Sequence, residues 1–443
     1  MPSVDSPREF VKWEKSYNIP LLHAEVFGTH ILIVNSIEDA IALFERPERA
    51  SIYSDRPDLP ILDLIGTEKN IGLMRYGEKW RSHRRVSHQN FNIHAATQYE
   101  PIQTRKVRDL LQKVLDRPDK FSEHNKWFST AVTMSAMYGY EVKSVDDPCV
   151  ALADEALRLI AQLIHPGGSL INHIPALRHI PEWFPGAYSR KLAARTKLLN
   201  EQDEGTSTPS LVANFYEKKL AYGASEEEEV AMAAITYAFV YLMTIHPDIQ
   251  QRARDEIENV IGATHRLPTL VDRKSLPYVE AIYREVLRLY PPLPLGLPRT
   301  TTEDNHYKGY YIPKGTTVLT NIWAMSYNEL IHEEPHRFNP ERHIGTNGEL
   351  DDKRIFAFGF GRRKANFYSH KFSLPYHLIT EHAWLMMASM LYSFKITRAK
   401  DSNGNDVVVN DEFEDIGILR CKKEFKCHFH LRSAEILQLI AET

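Results

Sequence analysis

Cysteine is nearly missing from this chain: Cys149, Cys421 and Cys427 are its only three in 443 residues. Their spacing offers neither a disulfide framework nor a zinc site, and a reducing compartment is favoured. Cys421 and Cys427 read as ordinary residues of a C-terminal strand region. Also missing is an apolar run long enough to cross a bilayer, which takes about 20 residues. The amino terminus, Met1-Pro2-Ser3-Val4-Asp5-Ser6, has no signal-like run either, so the chain as written is expected to be soluble. Basic charge is not in excess, with 54 Lys and Arg against 58 Asp and Glu. Binding to phosphate backbones usually needs a dense basic surface, so nucleic acid is not expected as a partner. No Gly-x-Gly-x-x-Gly follows a strand, which disfavours a flavin or nicotinamide enzyme. No repeat or long linker occurs, and only Glu201 to Pro209 has the composition of a disordered patch.

What is present is ordinary globular composition, long enough for a substantial core, with a few concentrated patterns. The most distinctive is Phe356-Ala357-Phe358-Gly359-Phe360-Gly361-Arg362-Arg363. Its aromatics alternate with small residues, so one face of an extended segment would offer rings while the glycines let the backbone turn. Arginine forks suit carboxylates, and aromatic-glycine-arginine in this order could clamp a planar apolar ligand with carboxylate edges, such as haem. A glycine-bearing hairpin with solvated arginines is the plain alternative. Trp80 and Arg84, four apart, share a helix face; a cation against an indole on a surface helix would explain them equally well.

Further along, Leu21 to Val34 reads as a hairpin, and Ser36 with Asp39 as a capping box opening a short helix. Ala151 to Ile164 and Arg190 to Leu199 have helical patterns, linked by the proline-rich stretch from Ile174-Pro175 to Pro185-Gly186. Val230 to Met243 is almost wholly apolar behind four glutamates, the pattern of a buried helix. His246-Pro247-Asp248 opens another helix, and Tyr278 to Tyr290 is a helix stopped by Pro291-Pro292. That last helix carries Glu285 and Arg288, three apart. Glu-x-x-Arg also occurs at Glu78/Arg81, Glu155/Arg158 and Glu334/Arg337, but Glu285 is flanked by Ala281, Ile282 and Leu289 and so projects into an apolar arc, where it needs partners. Arg342, in Phe338-Asn339-Pro340-Glu341-Arg342, is available as one.

Phe358-x-x-Gly361-x-Arg363 resembles the first part of the haem-binding signature of the cytochrome P-450 family, in which a cysteine follows two residues after the arginine. Here that position is Ala365. The resemblance implies that Trp80 and Arg84 bond the haem propionates from the third helix. It also implies that Arg299 is a further propionate-binding arginine, although the histidine usual just before it is absent. Glu285, Arg288 and Arg342 are similar to the family's structural network, which fixes the meander leading to the haem loop. The family's central helix carries a small-small-acid-threonine group for proton delivery; Ala231 to Thr236 contains no Asp or Glu, and Thr236 reads as an ordinary helical threonine. The proline-rich link is either a packed turn or, by resemblance, a loop that gates substrate and touches the membrane surface.

The resemblance covers nearly the whole chain and looks closest to fungal microsomal members. It implies a mainly α fold with small β-sheets in one large domain over 1–443, with 20–75 mostly β-rich and 76–443 mostly helical, the haem loop lying near 356–370. The function implied is haem-dependent monooxygenation of a small lipophilic substrate, using O2 and electrons from a separate NADPH-dependent reductase. Such members work at the endoplasmic reticulum membrane surface, held by an amino-terminal anchor, and this chain begins about where that anchor would end. From Lys364 to Thr380 the pattern fails, and it returns at Glu381 with His382 to Leu391 as an amphipathic or buried helix. A retained intron, a real but degenerate relative, and His370 or His377 in place of the thiolate each account for the break. A non-catalytic haem- or lipophile-binding relative is the alternative of another class.

Overall fold

Alternating apolar residues between Leu21 and Val34 make the expected hairpin of β1 (Leu22–Val26) and β2 (Thr29–Val34), with Leu22 opposite Ile33 and Val26 opposite Thr29. In the computed structural model, which describes residues 5–19, 21–26, 28–65, 70–91, 97–164, 169–181, 183, 226–351, 355–363 and 376–441, this hairpin belongs to a four-stranded sheet completed from far downstream. β3 (Arg299–Thr300) and β6 (Thr317–Thr320) join it in the order β1-β2-β6-β3, with β6 parallel to β2 and antiparallel to β3. Between them β4 (Asn305–Tyr307) and β5 (Tyr310–Ile312) form a separate hairpin. The carboxyl-terminal part adds β7 (Phe394–Arg398) paired with β10 (Cys427–Leu431), and β8 (Phe413–Ile416) paired with β9 (Leu419–Lys422).

The longer helices are α1 (Ser6–Tyr17), α2 (Ile37–Phe44), α3 (Glu78–Phe91), α4 (Glu100–Asp116), α5 (Phe121–Thr133), α6 (Pro148–Ile164), α7 (Glu226–Ile245), α8 (Pro247–Ile261), α9 (Pro277–Leu289), α10 (Tyr376–Ser393) and α11 (Ala434–Ala441). Among the described residues of the segment 20–75, expected as mostly β, strand occurs in β1 and β2 alone. Helices over Ile37–Phe44, Pro47–Ala50 and Pro60–Ile65 fill much of the rest, because Ser36 caps α2 by accepting from the Asp39 N–H and prolines open the two short turns. Apolar residues on every side of α7 put it at the centre: Met232 to Met243 is largely buried, and α5, α9, α10, β7 and β9 pack around it.

Two predicted features differ or fall outside. The run from Phe356 is not extended; Phe356–Phe358 and Gly361–Arg363 are short 3-10 turns around Gly359, whose φ is +71°. Left-handed glycines break the alternation that aromatic spacing alone suggests. The stretches Arg190 to Leu199 and Glu201 to Pro209, Ala365, His370 and the side chain of His377 lie outside the described residues. No helix among the described residues is long and apolar enough to cross a membrane.

Candidate functional site

The bend is anchored to α2 by packing. Phe356 and Phe360 enter a buried cluster with Leu43, Phe44 and Tyr53, while half-buried Phe358 packs against the larger core. Gly361 has φ +62°, its N–H donates to Glu45 Oε1 at 3.2 Å, and any side chain there would collide with the Phe44 carbonyl. A β-carbon is therefore excluded twice, by conformation and by space.

So anchored, the bend gathers arginines from four parts of the chain. Arg363 donates from Nε to the Ser54 carbonyl at 2.6 Å and from Nη2 to the Met74 carbonyl at 2.7 Å. Arg299, on β3, donates to the Phe360 carbonyl at 2.6 Å and reaches the Tyr53 carbonyl at 3.5 Å. Arg84, on α3, donates to the Arg362 carbonyl at 2.5 Å. The buried Trp80 ring lies 5.0 Å from the Arg84 guanidinium and 4.8 Å from that of Arg363, so the pair on α3 packs against the bend. Arg56, which sequence reasoning missed, donates to the Gly72, Leu297 and Pro298 carbonyls at 2.7, 3.0 and 2.7 Å. Its partners lie 16 to 242 residues away, and no local pattern marks it.

Electrostatically the cluster is over-supplied with positive charge. Burial pushes Arg299 down to about 9, and the Arg56 charge pushes in the same direction. Burial, then Arg56 and Arg299, push Arg363 down to about 8. Both remain guanidinium at neutral pH, yet neither forms an ion pair among the described residues. Main-chain carbonyls satisfy donor geometry but bring only partial negative charge. Desolvated cations of this kind are stabilised best by carboxylates.

A second constellation stands on α9. Glu285, fully buried, accepts from Arg288 Nε and Nη2 at 2.8 Å each, from Arg342 Nε at 2.9 Å, from His343 Nε2 at 2.9 Å and from the Asn339 N–H at 3.1 Å. Burial alone would raise its carboxyl; the bonds from Arg288 and then His343 overcome that and hold it at about 2. Arg342 also donates to the Glu333 carbonyl at 2.9 Å, tying the meander to α9. His343 directly follows the predicted arginine, and nothing in its spacing announced it. On α7, Thr236 Oγ1 donates to Asn125 Oδ1 at 2.6 Å and packs into the core. On the other side of β3, Thr300 borders a cleft of about 450 Å³ whose walls include Leu59, Ile164, His173, Pro298 and Lys314.

The sequence itself matches known proteins. The family model for cytochrome P450 matches residues 5–204 and 231–364. The chain belongs to the cytochrome P450 family. A cytochrome P450 monooxygenase of Armillaria gallica is 33% identical, covering 97% of this chain and 88% of its own length. The monooxygenase claR of Ampulloclitocybe clavipes is 32% identical, covering 98% and 84%, and COX1 of Coprinopsis cinerea 30%, covering 97% and 88%. The general function of the family is haem-dependent monooxygenation. The P450 match ends one residue after Arg363 and skips 205–230, a stretch that includes the first five residues of α7. The alignments to the three relatives run over 461, 467 and 473 residues. The chain has 443, so the P450 relatives carry residues inside the aligned span that have no counterpart here.

Proposed function

We propose that this chain is a P450 that keeps the carboxylate-binding part of a haem site and does not run thiolate chemistry. The observation that carries this reading is the pair Arg299 and Arg363, desolvated beside Arg56 and Arg84 and, among the described residues, bonded to main-chain carbonyls. Haem has two propionates and a flat ring; Arg84, Arg299 and Arg363 would hold the propionates, with Trp80 beside them. When bound in this family, haem supplies the iron at which oxygen is activated, with a cysteine thiolate favouring O–O cleavage.

The sulfur end does not fit. Residues 356–380 contain no cysteine, and Ala365 stands two residues after Arg363. Cys421 and Cys427 lie on β9 and β10, where burial pushes each thiol up to about 12, the reverse of a ready thiolate. Proton delivery lacks its acid as well, since Ala231 to Thr236 holds no carboxylate and the Thr236 hydroxyl is engaged by Asn125. The reading extends to a small lipophilic substrate, for which the cleft beside Thr300 offers both apolar and hydroxyl-bearing walls. It extends to the family's NADPH-dependent reductase, and to peripheral membrane contact through the exposed Leu170, Ile174 and Trp183. Reducing the haem-loaded protein under carbon monoxide tests it: no thiolate-type difference band is expected, and its appearance would overturn the reading.

A second reading is favoured by where the family match breaks. Residues 364–380 would then be translated intron or misassigned sequence standing where the cysteine-bearing loop belongs, and the mature message of an active enzyme would carry the codons of that loop in their place. Sequencing the transcript across codons 360 to 385 decides this; an uninterrupted message carrying those codons counts against it.

A further inference from the structure

We infer that the amino-terminal helix α1 is a releasable strap on the cleft beside Thr300: Asp5 clamps the β8–β9 hairpin, the tip of the hairpin bears on α6, and α6 walls the cleft. This concerns the cleft wall and is independent of what the bend binds.

The clamp joins the two ends of the chain. Arg420 on β9 donates from Nη1 to Asp5 Oδ1 at 2.8 Å, and the Asp5 N–H donates to Oδ2 of Asp415, on β8, at 2.9 Å. The root of the hairpin is held separately, by the Arg420 N–H on the Pro292 carbonyl at 2.9 Å and by Phe413 stacked on Tyr290. Its tip is pressed on α6, for a side chain at Gly417 would collide with the Ala161 carbonyl. Ile418 and Leu419 share a buried cluster with Ile160, Leu163 and Ile164. Ile164 and Asn172 line the cleft, and Asn172 Nδ2 donates to the Leu163 carbonyl at 3.1 Å. Packed and bonded groups thus run without a gap from Asp5 to the cleft.

Contiguity alone makes no switch; an element with two arrangements does. Three features of the clamp are met only when it opens. Asp5 has φ +50°, in the left-handed region that is costly for a residue with a side chain. It stands at the N-cap of α1, where an aspartate ordinarily accepts from the first helical N–H groups, yet its side chain makes no such bond. Asp415 Oδ1 is buried without a hydrogen bond among the described residues, while Arg420, 3.7 Å from it, is turned to Asp5. On release Asp5 can take an extended backbone and cap α1 beside Arg8, already 3.3 Å from its carboxylate, and Arg420 can close on Asp415. Each charge keeps a partner in either form, which lets the two forms lie close in free energy and a small input at the amino-terminal end shift the balance at the cleft.

Hydrogen exchange of the full chain, read by mass spectrometry in peptides covering 413–422, 158–164 and 169–173, tests this. Asp5→Asn keeps the capping group and removes the charge that holds Arg420. Exchange is expected to rise by about threefold in all three stretches, the size that one partly exposed ion pair carries. Asp415→Asn keeps an acceptor for the Asp5 N–H but takes away the second partner of Arg420. The clamp should then close further, and exchange in the same stretches should fall below that of wild type. A fixed brace behaves otherwise, since loss of either carboxylate loosens it. Exchange at or above the wild-type rate in Asp415→Asn would therefore overturn the inference, as would an Asp5→Asn protein in which 158–164 and 169–173 exchange no faster than in wild type.

Discussion

Two glutamates of this protein, one on each side of the break after Arg363, have opposite fates. Glu285 on α9 is buried and accepts five hydrogen bonds, which hold it at about 2. Glu381 on α10 is pushed up to about 7 by burial; the Arg273 charge and the nearby Gln103 amide offset that only in part, and Glu100 adds to it. Among the described residues its Oε2 has no hydrogen-bond partner, nor does either ring nitrogen of its neighbour His382. The contrast teaches that burial of an acid is neutral evidence. What distinguishes a built network from a misfit is whether the surroundings return the hydration that was lost. The first glutamate lies inside the stretch that matches the family, and the second lies beyond its end.

The comparison is broken most directly at Glu285. Replacing it with alanine strands Arg288, Arg342 and His343 in the core, and the expected cost is about 3–5 kcal/mol, the range for removing one member of a buried ion pair. Urea unfolding of Glu285→Ala measures it, and a loss under about 1 kcal/mol would show that the five bonds do not hold the meander. Acid should reproduce part of the effect. Because the folded carboxyl sits below its ordinary 4.5, its stabilisation is complete above that pH and is lost as pH falls from 4.5 towards 2.

Glu381 reverses the sign. Its folded carboxyl lies above its ordinary 4.5, so between 4.5 and about 7 the folded state holds more protons than the unfolded, and stability falls as pH rises through that window. Glu381→Gln should therefore stabilise the protein at pH 8 by on the order of 2 kcal/mol and leave it unchanged at pH 4. The measurement is the difference in unfolding free energy between the two proteins across that range. A variant that loses stability at pH 8 would mean that Glu381 is paired as well as Glu285 is.

How much of this was legible beforehand depended on distance along the chain. The hairpin at Leu22–Val34, the Ser36 cap, the all-round apolar α7 and the Glu285/Arg288 pair are written in spacings of two to four residues, and each took the expected form. Trp80 and Arg84 were legible for the same reason. Arg56 and His343 were not, since what gives them meaning arrives from elsewhere: Pro298 for one, Glu285 for the other. The shape of the bend was misjudged because alternation of Phe356, Phe358 and Phe360 imitates a strand, while the left-handed Gly359 and Gly361 decide the backbone. The loss of pattern after Arg363 was legible as a missing cysteine, but the unpaired groups on α10 needed coordinates to be seen.

His382 gives the finest test of the contrast. It is 1% exposed, and burial alone pushes its imidazole down to about 3, so it is neutral in the folded protein at any ordinary pH. A neutral imidazole still has one N–H to donate and one nitrogen to accept, and among the described residues both go unmet. Leucine fills a similar volume without either group, so His382→Leu should stabilise the protein by about 1 kcal/mol at neutral pH, the lower end of what an unmet polar group costs. The gain should grow in acid: with a folded value below the ordinary 6.5, wild type loses stability as pH falls from 6.5 towards 3, and the leucine variant has nothing there to protonate. Thermal melts of both proteins at pH 7 and pH 5 read the two effects together. A destabilised leucine variant would mean that the ring is satisfied after all, and that α10 is as well built after the break as α9 is before it.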